Sequence, residues 1–209
     1  MKKILFLFGC IAALNLASCV SSSNEEDESL SNADIAACFN AVRGDYSGKI
    51  VFNAKNSSNI YDNQDTLDIN WSFTADSTLI IRSFPAKILA ESISNTSVKN
   101  ALLEQDPKRD LNCLIAFYQL SPYVQFLIGP KKLDYYILIN DETHTLSMYC
   151  WANNYSFGAK NSSDDTMFLR LEIAAAYLDG NESLNLLSSY NSSELVQIPI
   201  LIATTLAEG

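Results

Sequence analysis

The chain has 209 residues, 48% of them hydrophobic and 18% charged, with 24 Asp and Glu against 14 Lys and Arg and a formal net charge of −10. That length suits one domain or two small ones. No run of lysine or arginine interrupts the acidic excess, which excludes nucleic acid as a partner, because affinity there comes from clustered cations that neutralise phosphates.

In chain order, Lys2 and Lys3 precede the apolar run ILFLFGCIAAL, residues 4–14. A basic start followed by a short apolar core is the order of a secretory signal. A spanning helix needs about 20 apolar residues, so this run is too short to cross a bilayer, and a polar tract from Ser21 to Asn32 follows it. The stretch Leu16-Ala17-Ser18-Cys19 then sets two small residues before a cysteine.

This LASC stretch resembles the lipobox of bacterial lipoproteins. The resemblance implies a signal peptide over 1–18, cleavage before Cys19, and lipidation of Cys19 by a diacylglycerol thioether and an N-acyl chain. Two or more acyl chains, at about 0.8 kcal/mol per buried methylene, give stable attachment, so the expected relation to the membrane is anchored rather than spanning. Loss of Lys2 and Lys3 with the leader would move the net charge from −10 to −12.

Residues 19–32 are polar, with an acidic core Glu25-Glu26-Asp27-Glu28, and cannot bury enough surface to fold. They read as a tether. An acidic stretch behind a lipidated cysteine also resembles the surface-export signal of Bacteroidetes lipoproteins. The expected location is the cell envelope, as an outer-membrane lipoprotein on the periplasmic face or the cell surface, with residues 33–209 forming one mainly β domain.

Within that domain, Ala33 to Val42 follows Asn32 as an N-cap and carries Ile35, Phe39 and Val42 at helical spacing, which predicts a short amphipathic helix. The period then becomes two: Leu67, Ile69, Trp71 and Phe73 alternate with Asp68, Asn70 and Ser72, the pattern of an antiparallel strand with one buried face. Further predicted strands are Tyr46 to Asn53, Thr78 to Ser83, Leu111 to Leu120, Tyr123 to Ile128, Leu133 to Asn140, Thr145 to Trp151, Met167 to Tyr177 and Val196 to Leu206. Pro85 starts one inserted helix, and TSVKNALLEQ, capped by Thr96 or Ser97, forms a second that ends before Pro107.

A hairpin around Asp141-Glu142-Thr143-His144 is predicted to set Ile139 opposite Leu146, Ile137 opposite Met148 and Tyr135 opposite Cys150, with Tyr136 beside Tyr149 and Asp134 beside Trp151 on the reverse face. The fold class is mainly β (α+β), an antiparallel lipocalin-like barrel or a two-layer sandwich with two or three short helices. RGDYSGKIVF and SFPAKILAESI, read together with the lipobox and tether, resemble uncharacterised Bacteroidetes lipoprotein families, which imply a mainly β domain but carry no established activity.

Catalytic constellations are sparse. His144 is the single histidine and falls in a predicted turn, away from a nucleophile of the kind a Ser-His-Asp or Cys-His site requires. Cys38, Cys113 and Cys150 are an odd set whose pairing the sequence does not choose; Cys113 and Cys150 read as small buried hydrophobes, and neither a metal site nor a cofactor is expected. Asp62, Asp65 and Asp68 lack the glycine turn and terminal glutamate of a calcium loop.

More informative are Tyr136, Tyr149 and Trp151, with Tyr118 nearby, which form a strip of flat rings suited to stacking on sugars or gripping a partner; ordinary core packing is the competing reading. The expected function is a non-enzymatic, lipid-anchored envelope protein that binds a small apolar molecule, a glycan or an envelope protein. The alternatives are a carboxylate-dependent envelope glycoside hydrolase and a structural accessory subunit of an outer-membrane complex. An apolar lumen would favour the first, two converging carboxylates the second, and a large exposed apolar patch the third.

Overall fold

A computed structural model describes residues 29–53, 64–74, 77–163, 166–188 and 196–204. The signal sequence, Cys19 and most of the tether lie outside the described residues. Helix α1 (Asn32–Val42) begins one residue earlier than expected, because Ser31 and not Asn32 is the cap. Asp34 explains the difference: its N–H donates to Ser31 Oγ at 3.2 Å while its carboxylate accepts the Ser31 N–H at 3.2 Å, a reciprocal pair that Asn32 has no counterpart for.

Ten strands follow among the described residues: β1 (Gly44–Asn53), β2 (Gln64–Thr74), β3 (Thr78–Pro85), β4 (Lys108–Gln119), β5 (Tyr123–Pro130), β6 (Leu133–Ile139), β7 (Glu142–Trp151), β8 (Phe157–Asn161), β9 (Met167–Leu178) and β10 (Ile198–Thr204). They form one antiparallel sheet in the order β10-β1-β2-β3-β4-β5-β8-β9-β7-β6, and β9 pairs back to β10. That last pairing decides for a barrel over a sandwich: eight strands close on themselves, leaving β6 and β7 as an extension beyond the rim.

The extension arises from interrupted strands. β10 pairs with Phe168–Ile173 of β9, and both β8 and β7 overlap that stretch, so both occupy the opposite edge of β9. They run along it one after the other. Ser156 closes the gap between them, donating to the Trp151 carbonyl and accepting the Glu172 N–H at 3.1 Å.

Side chains fill the lumen. Phe73 on β2 meets Phe126 on β5 edge-to-face with centroids 5.4 Å apart, although β3 and β4 lie between those strands in the wall. Trp71 Nε1 points across to Met167 Sδ at 3.3 Å. Gly158 makes room for this packing, since a Cβ there would sit 2.4 Å from Phe126 Cζ and 2.8 Å from Leu169 Cδ2.

Helix α1 closes one end, with Cys38 and Val42 buried, Tyr46 Oη donating to the Val42 carbonyl at 2.7 Å and Lys160 Nζ to that of Ala41 at 2.8 Å. At the other end sit a 3-10 helix (Ala86–Ser92), the expected inserted helix except that Pro85 ends β3 and caps the helix rather than starting it, and α2 (Thr96–Gln105). The α2 cap is Asn95, whose side chain accepts the Val98 N–H at 3.1 Å, and neither Thr96 nor Ser97 as expected.

The β6–β7 hairpin forms with the expected faces and a different register. Asn140 and Asp141, at φ 51° and 67°, make a two-residue turn, so Ile137 faces His144, Tyr135 faces Leu146 and Leu133 faces Met148. The expected register used a four-residue loop; because the shift is even, Tyr135, Ile137, Leu146 and Met148 still point inward and are buried. Tyr136 therefore faces Thr145 and Asp134 faces Ser147, not Tyr149 and Trp151.

Candidate functional site

The outer face of β7 and β9 carries a row of rings. Tyr149 packs on Tyr177 with centroids 5.6 Å apart at 67°, and Trp151 on Tyr155 at 5.8 Å and 41°. Tyr149, Trp151 and Tyr177 are half-buried, whereas Tyr155 is 44% exposed. A bulge between Tyr149 and Cys150 adjusts the pleat, so Trp151 becomes the partner of Glu172.

Trp151 reaches over that glutamate, its Nε1 donating to the Val196 carbonyl at 2.9 Å on the far side. Glu172 is 1% exposed beneath it, and its Oε2 accepts Arg170 Nη2 at 2.9 Å and Nε at 3.2 Å. Burial pushes the Glu172 carboxyl up while Arg170 pulls it back down.

The rim is polar. Ser147 Oγ donates to Asp134 at 2.6 Å and Lys132 Nζ lies 2.9 Å from the same carboxylate, contacts that hold Asp134 low and, through the bond to Asp134, raise Lys132. Tyr149 Oη stands 3.4 Å from Glu182. Flat rings beside fixed donors and acceptors offer a stacking surface with hydrogen-bonding edges.

Of the four rings expected to share a strip, the structure brings only Tyr149 and Trp151 together. Tyr136 is 55% exposed and covered on one side by the Arg109 guanidinium, 5.0 Å from its ring centre, and the hairpin register separates it from Tyr149. Tyr118 is 48% exposed at the far end of β4, where its hydroxyl donates to Gln125 Oε1 at 2.7 Å. Tyr177 and Tyr155 replace them. Tyr177 lay on a predicted strand but in phase with the inward Met167, Leu169, Leu171 and Ile173, and the bulge beside Tyr149 and Cys150 turns it outward; Tyr155 sits in a 3-10 turn (Asn153–Tyr155) with no period to reveal it.

His144 lies on β7 and is half-buried, not in a turn, because the turn is two residues long. Its Nδ1 lies 2.7 Å from Asp179 Oδ2. The thiols of Cys113 and Cys150 are both pushed upward by burial, Cys150 to about 12, which makes them poor nucleophiles. Of the aspartates weighed for calcium, Asp68 pairs with Lys49, Asp65 accepts the Thr66 N–H at 2.7 Å, and Asp62 lies outside the described residues.

Fold and site together define a closed, internally packed antiparallel barrel with a ring-bearing outer face on a sheet extension. The chain belongs to the family described as Domain of unknown function (DUF4840), whose model matches residues 41–178. No curated protein and no solved structure matches it. The matched span runs from the end of α1 through β9 and so contains the hairpin and all four rings of the row.

Proposed function

We propose that this chain is a lipid-anchored cell-envelope protein of a Bacteroidetes bacterium whose barrel is a non-enzymatic binding module, taking a glycan or an envelope protein on the outer face of β7 and β9. The observation that carries the binding reading is the row Tyr155, Trp151, Tyr149 and Tyr177, the last three on the paired strands β7 and β9 and Tyr155 on the 3-10 turn after β7, bordered by Lys132, Asp134 and Glu182. Aromatic faces pack on the apolar faces of sugar rings, and polar rim groups then select hydroxyl positions. The LASC stretch supports the anchor, and the acidic run behind it supports an outer location.

A lumen crossed by Phe73, Phe126, Trp71 and Met167 argues against an apolar small molecule held inside. Glu172 does not favour hydrolysis, because Trp151 covers it and Arg170 occupies its Oε2. The test has two arms. Wild type should fractionate with membranes and Cys19→Ala should not; wild type should be retained by a glycan panel or by envelope extract, and Tyr149→Ala or Tyr155→Ala should lose that retention without losing thermal stability. Equal membrane association of the Cys19 variant would remove the anchor, and retention unchanged in both tyrosine variants would remove the ring face.

A further inference from the structure

The outer face of β1–β3 carries a groove made of two depressions. One, of about 350 Å³, is lined in part by Asp45, Ser47, Asn70, Ser72 and Arg82. The other, of about 310 Å³, is lined in part by Asn70, Arg82, Ser83, Lys87 and Lys108. Asn70 and Arg82 border both and are cross-strand partners, so the depressions join there. Ser47 is the partner of Asn70 and Asp45 of Ser72, which lays a band of short polar side chains along the floor.

The carboxylates that hold the cations, Asp110 and Asp106, do not line the groove. A bulge between Ile81 and Phe84 leaves Ser83 at φ 50°, and Asp110 accepts the Ser83 N–H at 2.9 Å with one oxygen and Arg82 Nη1 at 2.7 Å with the other. Ser72 Oγ lies 3.5 Å from Arg82 Nη2, so the guanidinium lies across the junction of the depressions. Lys87 and Lys108 approach a single oxygen, Asp106 Oδ2, at 3.3 and 3.4 Å.

One carboxylate does not neutralise two ammonium groups. Both contacts also exceed the roughly 2.7–2.9 Å of a tight charge-assisted hydrogen bond. Asp106 and Asp110 flank the lysines and Arg82 without lining the groove, and the lining carboxylate nearest them in sequence order on β2, Asp68, is paired with Lys49. The far end carries Asp45. The groove thus has a direction: a locally uncompensated positive end, a hydrogen-bonding middle whose Arg82 is paired with Asp110, and an acidic end, on a chain of net charge −10 that repels polyanions.

We propose that this groove binds an oxyanion-bearing saccharide, with the oxyanion between Lys87 and Lys108 and the hydroxylated ring over Asn70 and Arg82. An oxyanion relieves the repulsion between the two ammonium groups and supplies the close acceptor that Asp106 does not. Asn70, Ser72 and Ser47 each offer both a donor and an acceptor, as hydroxyl groups require. The site lies on different strands from the ring face and is independent of it.

The test is calorimetric titration of the full chain in detergent with glucuronate, glucose and inorganic phosphate. Glucuronate is expected to bind saturably, and glucose and phosphate each about tenfold more weakly, since each lacks one half of the recognised group. Lys108→Gln, which leaves Lys87 on Asp106 and so keeps the fold, is expected to weaken glucuronate about tenfold at unchanged Tm, and Lys87→Gln combined with it to abolish binding. Tyr155→Ala should bind as wild type does. Absence of saturable glucuronate binding, glucose or phosphate binding as tightly as glucuronate, or lysine variants that bind like wild type overturns the proposal; loss in Tyr155→Ala would move the ligand to the ring face and overturn it equally.

Discussion

Asp179 ties the start of β7 to the end of β9 with one carboxylate. Its Oδ1 accepts the Thr145 N–H at 2.9 Å and its Oδ2 meets His144 Nδ1 at 2.7 Å, while its own N–H donates to the Thr145 carbonyl at 2.8 Å. The histidine contact first, and the backbone bond second, hold its carboxyl below the ordinary value of 3.8. A carboxyl lowered by folding stabilises the native state above that ordinary value, and the contribution disappears as pH falls through the lowered one. Asp179→Asn should therefore lower Tm at about pH 5, and the difference from wild type should close in acid as pH falls through the lowered value and the wild-type carboxyl protonates. Thermal melts across that range check this; a gap that does not change with pH would mean that the charge contributes nothing. Glu172 has the opposite sign, being raised by burial, so its desolvation weighs against the fold above its ordinary value and is relieved in acid.

The hairpin marks how far sequence alone reaches at the scale of elements. Alternation identified nine of the ten strand segments and the inward face of β6 and β7, because a period of two survives any even change of register. It could not fix the partners, which depended on Asn140 and Asp141 both accepting positive φ, a tolerance specific to those residues in a two-residue turn. β8 was missed since FGAKN is five residues long and its Gly158 breaks the pattern to admit Phe126. Edge protection was equally hidden. Gln105 at the end of α2 donates to the Leu138 carbonyl and accepts the Leu138 N–H, both at 2.9 Å, so one side chain imitates a neighbouring strand at the outer edge of β6. Asn185 does the same for β9, accepting the Ala176 N–H at 3.0 Å and donating to the Ala174 carbonyl at 3.1 Å. Gln105→Ala should cost about 1 kcal/mol and speed exchange of the Leu138 amide selectively. Hydrogen exchange that leaves Leu138 as protected as before would show that the edge is held by packing alone.

At the scale of the whole molecule, closure by β9 and β10 and plugs at both ends leave a choice between a container and a packed body. The rings decide it. Phe126 touches Phe73, which lies beyond β3 and β4 in the wall, at 5.4 Å and its own cross-strand partner Phe117 at 5.8 Å, and Trp71 with Met167 makes a second crossing of the lumen. A ligand inside would have to displace them, and interiors at crystal-like density do not open without loss of stability. Phe126→Ala should cost about 3–5 kcal/mol, most of it from a void that its neighbours cannot collapse to fill. A dry apolar void admits a small apolar guest, so benzene should raise the Tm of Phe126→Ala and leave that of wild type unchanged. If wild type were stabilised by benzene to the same extent, the lumen would be an open receptor, and the outer ring face would lose its claim as the place where this barrel meets its ligand.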